Sequence, residues 1–575
     1  MSETVQIRDF KDMLKKSGEL YGDRVAFKFK TEVPGVFKTI SHKEVREMID
    51  CLGTSLISLL NLKGKRIAVI GENRYEWEVA YLAVTAGTGI VVPLDKALPE
   101  NELESLIRRS EVEAIFYSKK YEEVLKALAK DGNIKLKHLI CMDAVEHNDG
   151  IYSFNELIEK GKELIAEGDR SFIDAEVDPE AMTIMLFTSG TTSVSKAVML
   201  CQRNICANLM DVDNALYQIT CEDSMLSFLP IHHVIECTIG FLLNLYKGMS
   251  TAFCDGIRHI VENLREYQTT FFVCVPAVYE KIYMSIMKNL EKQGKLEGFL
   301  QLMDKYKDEP QEVKKEIFKD IHNFFGGHIK LIVSGAAALD PKIEQAYRDL
   351  GFDLVQGYGL TESSPVVCVN NIPNNWDRAK YKLGSIGLPL KSVQVKVEDK
   401  NDEGIGELVV KGPNVMLGYY GNEEETKAVL ADGWLHTGDL CKIDEDGFIY
   451  IYGRKKSVIV LKNGKNIFPE EMENLVNKIE GVTESMIYGL PNSEDENDLK
   501  IYVEVVYDEA IMQEMYDTTD PDKIREIVSG KVKEINRSMP LYKAIKGVIV
   551  TKEPIIKTTT GKIKRYEELK KIQKL

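Results

Sequence analysis

Short apolar runs recur along much of the chain, separated by stretches of helix length. From position 65 the sequence RIAVIGENRYEWEVAYLAVTAGTGIVVPLD reads as a β run, a polar turn, a helical segment ending near Gly87 and a second β run, which is a βαβ unit. Further strands are expected at 114–117, 138–142, 183–188, 225–229, 271–275 and 330–333. Runs that are apolar throughout suit strands covered on both faces, as in a parallel sheet. The expected fold class is α/β, with a large N-terminal domain of layered α/β subdomains. At 278–325 a Lys/Glu-rich stretch of helical period predicts a helical insertion with its charges on a solvated face.

After about Gly384 the pattern changes to β runs broken by glycine (SVQVKV, GELVVKG, FIYIYG), predicting a small β-rich unit that closes the large domain. Beyond Arg454 strands and two or three helices are expected, among them PEEMENLVNKI and DKIREIVSGKVKEINRS. That is enough for a small, compact α+β domain, so the expected domains are 1–453 and 454–575. At 575 residues the chain is long enough for three or four globular units.

Composition narrows the function classes. With 44% hydrophobic and 29% charged residues the chain is an ordinary globular one. A net charge of -16 argues against a nucleic-acid partner, which would require clustered Lys and Arg, so any phosphate site must be local. The ten cysteines show no C-x-x-C pair and no histidine at zinc spacing, as for buried thiols in a reducing compartment. The charged N-terminus is no secretory signal, and no apolar run approaches the ~20 residues that span a bilayer. A cytoplasmic protein is expected, touching a membrane at most peripherally; the oligomeric state is left open.

Three stretches carry candidate chemistry. Thr188-Ser189-Gly190-Thr191-Thr192-Ser193-Val194-Ser195-Lys196 lies between the β runs TIMLF and AVML. Its six hydroxyls, glycine and lysine suit a polyphosphate, whose oxygens take hydrogen bonds while the ammonium offsets their charge. It is not a Walker A loop, because Ser195 precedes Lys196 and Ala197 follows it. Alone, such a loop is more often a solvated turn. Gln356-Gly357-Tyr358-Gly359-Leu360-Thr361-Glu362 is suited to laying Tyr358 on a base while Glu362 holds Mg²⁺, or equally to a Gly-rich turn with Glu362 capping a helix. In Gly433-Trp434-Leu435-His436-Thr437-Gly438-Asp439, Asp439 is a candidate acceptor for ribose hydroxyls, against a surface turn as the bland alternative.

TSGTTxxxK, QGYGLTES, GWLHTGD, GRKKSVIVLKNGKNIFPEEME and KTTTGKIKRY occur in this order, and together they resemble the adenylate-forming enzymes: acyl-CoA synthetases, aryl-acid ligases, luciferases and peptide-synthetase adenylation domains. The resemblance spans essentially the whole chain. It implies that Thr188, Ser189, Gly190, Thr191, Thr192 and Lys196 hold the β- and γ-phosphates of ATP, with Thr188 and Glu362 sharing Mg²⁺. Ser334-Gly335-Ala336-Ala337 looks like the segment beside adenine. Within the Gln356, Gly357, Tyr358, Gly359 stretch, Tyr358 with Thr361 would contact adenine and the α-phosphate. Asp439 and Arg454 would hold the ribose, Lys456 falls at the hinge, and Lys562 matches the lysine bridging the carboxylate and the α-phosphate. Outside that context Lys562 is one of eight basic residues against three acidic ones in 551–575, the composition of a solvated tail. In LPIHHVIE, His233 aligns with a position near the acyl pocket and MgATP, while a lone buried histidine is as readily structural.

The chain departs from the family loop at Ser193, Ser195 and Ala197, where Gly, Pro and Gly are usual; those residues set backbone angles, so a weaker hold on ATP is expected. The helical insertion, VPAVYEKIY and the hinge sequence most resemble bacterial long-chain fatty-acid ligases. The implied activity is ATP-dependent formation of a medium- or long-chain acyl-AMP and transfer of the acyl group to coenzyme A. Rival readings are a ligase of another carboxylic acid, a loader of acyl carrier protein, and a non-catalytic nucleotide- or acyl-binding scaffold.

Overall fold

The apolar runs become strands, and Ala114–Tyr117 and Phe271–Cys274 are buried at every residue. The computed structural model describes residues 4–33, 35–188, 195–371, 381–462, 465–492, 495–558 and 562–573, with the side chains of 492–498 excepted. Two compact units emerge. One comprises Met1–Thr188, Lys196–Val395 and Val410–Leu435; Lys396–Val409 and the chain from His436 belong to the other.

The larger unit holds two sheets. The first has nine strands, in the order Leu388–Pro389, Val366–Asn370, Leu354–Gly359, Leu331–Ser334, Phe271–Cys274, Ser224–Ser227, Ser250–Phe253, Val25–Lys30 and Phe37–Ser41. The second has eight: Gly418–Tyr419, Lys196–Cys201, Met182–Thr188, Ile90–Leu94, Arg66–Ile70, Ala114–Tyr117, His138–Cys141 and Ile151–Ser153. Both are parallel at their centres and antiparallel toward one or both edges. The α/β expectation and the βαβ unit are borne out, with helix Tyr75–Ala83 between Arg66–Ile70 and Ile90–Leu94.

That helix is buried at every residue from Glu76 to Ala83, so a carboxylate at Glu78 has no path to solvent. The expected insertion is four helices, Pro276–Lys292, Leu296–Tyr306, Gln311–Ile317 and Lys319–Phe324. The first starts on Pro276, whose missing N–H costs nothing in the first turn, and buries Tyr279 and Ile286 two turns apart.

In the smaller unit Val482–Asn492, Asp495–Tyr507 and Ile545–Thr551 form a sheet, packed among the described residues with four α-helices rather than two or three. Glu509–Tyr516 and Arg565–Ile572 are the additional ones; the equally short Pro469–Val476 is marked by a proline in its first turn, which neither of these has. Seven of the ten cysteines are buried, but Cys51, Cys221 and Cys254 are only half-buried. Among the described residues no helix is long and apolar enough to cross a membrane.

Candidate active site

Strands Met182–Thr188 and Lys196–Cys201 pair antiparallel with Thr188 opposite Lys196, and Thr188 Oγ1 donates to the Lys196 carbonyl at 3.4 Å. Ser189, Gly190, Thr191 and Thr192 lie outside the described residues. Strand Gly418–Tyr419 adds to Lys196–Cys201 and sets the Tyr419 ring 4.8 Å from Lys196 Nζ, which also pairs with Glu425. The Tyr419 hydroxyl donates to Glu362 Oε1 at 2.9 Å. One tyrosine therefore joins Lys196 to Glu362, which are far apart in sequence. Burial, followed by the Glu362 charge, pushes the Tyr419 phenol up, so its hydroxyl stays a donor.

Glu362 lies inside a single turn, Thr361–Ser363, and so caps no helix. Its carbonyl accepts from Met416 N at 2.9 Å, tying the turn to the segment that leads into Tyr419. Thr188 and Glu362 offer a hydroxyl and a carboxylate. Such a sparse oxygen set fits Mg²⁺, which keeps several waters and takes substrate phosphates as ligands. Tyr419 and Glu425, in GYYG and NEEE, were missed by sequence reasoning.

Parallel strands Leu331–Ser334 and Leu354–Gly359 put Ser334 opposite Gln356. A Cβ on Gly335 would lie 3.7 Å from the Gly357 carbonyl oxygen, so the two glycine segments run side by side. Ser334 Oγ is buried without a hydrogen bond among the described residues, and Ala336 holds φ at 68°, a left-handed conformation costly for a residue with a Cβ. The Gln356 side chain is engaged within the scaffold, donating to Glu344 Oε2 at 2.8 Å and accepting from Leu339 N at 3.4 Å. A Cβ on Gly359 would sit 1.8 Å from the Pro365 carbonyl oxygen, so only glycine fits where the chain doubles back. Tyr358 and Thr361 are half-buried nearby in the chain.

In the smaller unit, Asp439 sits in strand Trp434–Ile443, which corrects the alternative of a surface turn. Asp439 is 4% exposed and faces Arg454 across the hairpin, with Arg454 Nε 2.8 Å from Asp439 Oδ1. Next along the chain, Lys455 pairs with Glu407 at 2.8 Å and Lys456 is exposed. Lys562 is exposed, but its backbone is paired: Thr558 N donates to its carbonyl at 2.8 Å, and Lys557 bridges to Ile563.

His233 Nδ1 accepts from Ile235 N at 3.3 Å, while His232 Nε2 lies 3.6 Å from Asp95 Oδ2. Burial pushes the His232 pKa down against the pull of Asp95.

Residues 14–420 match the AMP-binding enzyme family. The chain belongs to that family. A relative of this AMP-binding enzyme, long chain acyl-CoA synthetase 3 of Arabidopsis thaliana, is 29% identical over 93% of this chain and 86% of its own length. A long-chain-fatty-acid–CoA ligase of Escherichia coli O6:H1 is 28% identical over 86% of this chain and 85% of its own. The solved ATP-bound MatB of Rhodopseudomonas palustris superposes with a TM-score of 0.73 at 23% identity, covering 98% of this chain and 99% of that one. The o-succinylbenzoate CoA synthetase of Bacillus subtilis, holding its acyl-adenylate, does so with a TM-score of 0.72 at 20% identity, over 96% and 97%. The AMP-binding enzyme thus has the fold of adenylate-forming ligases, and its family and relatives support adenylate-forming acyl-CoA ligation as the coarse activity.

Proposed function

We propose that this AMP-binding enzyme activates a medium- or long-chain fatty acid with ATP as acyl-AMP and transfers the acyl group to coenzyme A. The carrying observation is that long-chain ligases from a plant and a bacterium align with 93% and 86% of the chain. In this reading Lys196 and the hydroxyl loop receive the β- and γ-phosphates, Ser334–Ala336 and Tyr358 receive adenine, and Thr361 receives the α-phosphate. Asp439 and Arg454 hold the ribose hydroxyls, and His233 lies toward the acyl chain. Mg²⁺ held by Thr188 and Glu362 would neutralise phosphate charge. Lys562 sets a cation between two anions, the fatty carboxylate and the α-phosphate, whose approach is the electrostatic obstacle to adenylation. The chain from 454 onward then turns at Lys456, and the thiol displaces AMP.

The test is fatty-acid-dependent ATP–pyrophosphate exchange without coenzyme A, with acids from two to eighteen carbons and benzoate, followed by thioester detection once coenzyme A is added. Exchange with an optimum among the longer acids, then thioester, is the expected result. An optimum at benzoate or acetate sinks the fatty-acid assignment, and absence of exchange despite ATP binding points to a non-catalytic scaffold.

The tyrosine between Lys196 and Glu362 gives a sharper check. Tyr419→Phe keeps the ring under Lys196 and deletes a hydrogen bond to a charged group, so KM for MgATP should rise about tenfold, as expected for ~1.5 kcal/mol. Tyr419→Leu, which also removes the ring, should raise it further. Unchanged KM in both variants means the arrangement is scaffold only.

A further inference from the structure

The ribbon carrying Lys562 is anchored by residues to which the reading above assigns no role. Its strands close through Lys564 N on the Ile556 carbonyl at 2.8 Å and Lys562 N on Thr558 Oγ1 at 3.1 Å. Immediately after it, Arg565 opens helix Arg565–Ile572 and donates Nη1 and Nη2 to the two oxygens of Glu473, each at 2.7 Å. Arg565 Nη1 also reaches the Ile487 carbonyl at 3.1 Å, while Ile487 N donates to Glu473 Oε1 at 2.7 Å. The planar fork therefore locks the first residue of this helix to helix Pro469–Val476 and to the edge strand Val482–Asn492 at once. The other end of the ribbon is tied to the same helix: Ile556 N donates to Glu568 Oε2 at 2.6 Å, and Glu568 is fully buried.

We propose that Glu473 and Arg565 are positioning residues whose fork sets the placement of Lys562 for acyl-AMP formation, an inference that rests on the assignment of Lys562 above. Only two residues separate Arg565 from Lys562, so a shift of the guanidinium passes directly into the ribbon. A buried ion pair is a poor source of net stability, because desolvation offsets its attraction, whereas a bidentate fork fixes geometry in two directions. Lysine in place of arginine keeps the charge but cannot make both bonds in one plane.

The full-length protein carrying Arg565→Lys, Glu473→Gln or Lys562→Ala is assayed for pyrophosphate exchange and, separately, for thioester formation from supplied acyl-AMP and coenzyme A. A misplacement of about 1 Å costs about 10²-fold, so Arg565→Lys should lower exchange on that order while thioester formation stays within about twofold. Glu473→Gln, which retains an acceptor for Ile487 N, should show the same selectivity and decides the matter if Arg565→Lys melts below assay temperature. If Lys562→Ala is selective but both fork variants keep exchange, or lose both half-reactions equally, the fork has no positioning role. If Lys562→Ala itself keeps exchange, the assignment of Lys562 fails, and the fork's role falls with it.

Discussion

Lys562→Ala should lower acyl-AMP formation by about 10²–10³-fold, the usual loss when one preorganised partner of a transition-state charge is removed. The same variant should still convert supplied acyl-AMP and coenzyme A to thioester, because displacement of AMP by a thiol no longer brings two anions together. Lys456→Pro should show the converse. Proline fixes φ near -65° and removes an N–H, so a chain that must rotate at this exposed position between half-reactions would be held in one of its two arrangements. Pyrophosphate exchange and thioester release, measured separately on each variant, check the pair. Equal loss of both half-reactions in each variant would sink this division of labour.

Raising the pH from 5 to 8 should destabilise the larger unit through two buried carboxyls, Glu78 and Glu236. Glu76, two residues before Glu78, is paired with Arg74 at 2.8 Å, but neither Glu78 oxygen has a hydrogen-bond partner among the described residues. Glu236 accepts from Ser227 Oγ at 2.5 Å, and burial pushes its carboxyl up to about 8. Burial first, and then the Glu236 charge, raises Glu78 well above the usual carboxylate range. The sign follows directly. Between an unfolded value near 4.3 and about 8 the folded chain keeps a proton on Glu236 that the unfolded chain has lost, so stability falls as pH rises through that window. At about 1.4 kcal/mol per pH unit the loss is on the order of 5 kcal/mol for Glu236 alone. Glu78→Leu, which replaces an unpartnered buried carboxyl with an apolar side chain of similar size, should raise the thermal midpoint at pH 8 and much less at pH 5. An equal drop at both pH values would show that Glu78 is satisfied where it lies.

The strand and helix pattern was legible because burial on both faces leaves an unbroken apolar run, as at Ala114–Tyr117, and because Pro276 marks a helix start. Its resolution ended at eight-residue helices with no proline to mark their start, such as Arg565–Ile572, which complete barely two turns. Likewise GWLHTGD by itself reads more readily as a surface turn than as a ribose site, and only the pairing of Asp439 with Arg454 across a hairpin shows a buried carboxylate beside a guanidinium.

The sequence by itself determined the α/β class, the insertion, the change of texture after residue 384 and, through five ordered motifs, the family. These are local in the chain: periodicity, turn residues and short motifs are written in neighbouring positions. Only the tertiary structure decided that Tyr419 joins Lys196 to Glu362, that Gln356 is held by Glu344, that Glu78 has no hydrogen-bond partner among the described residues, and that Arg565 grips Glu473 ninety-two residues away. Such contacts depend on sheet register and helix packing, which bring together side chains whose separation along the chain carries no periodic signal. A tyrosine in GYYG or a glutamate in PEEME shows nothing of its partner until the strand beside it is in place.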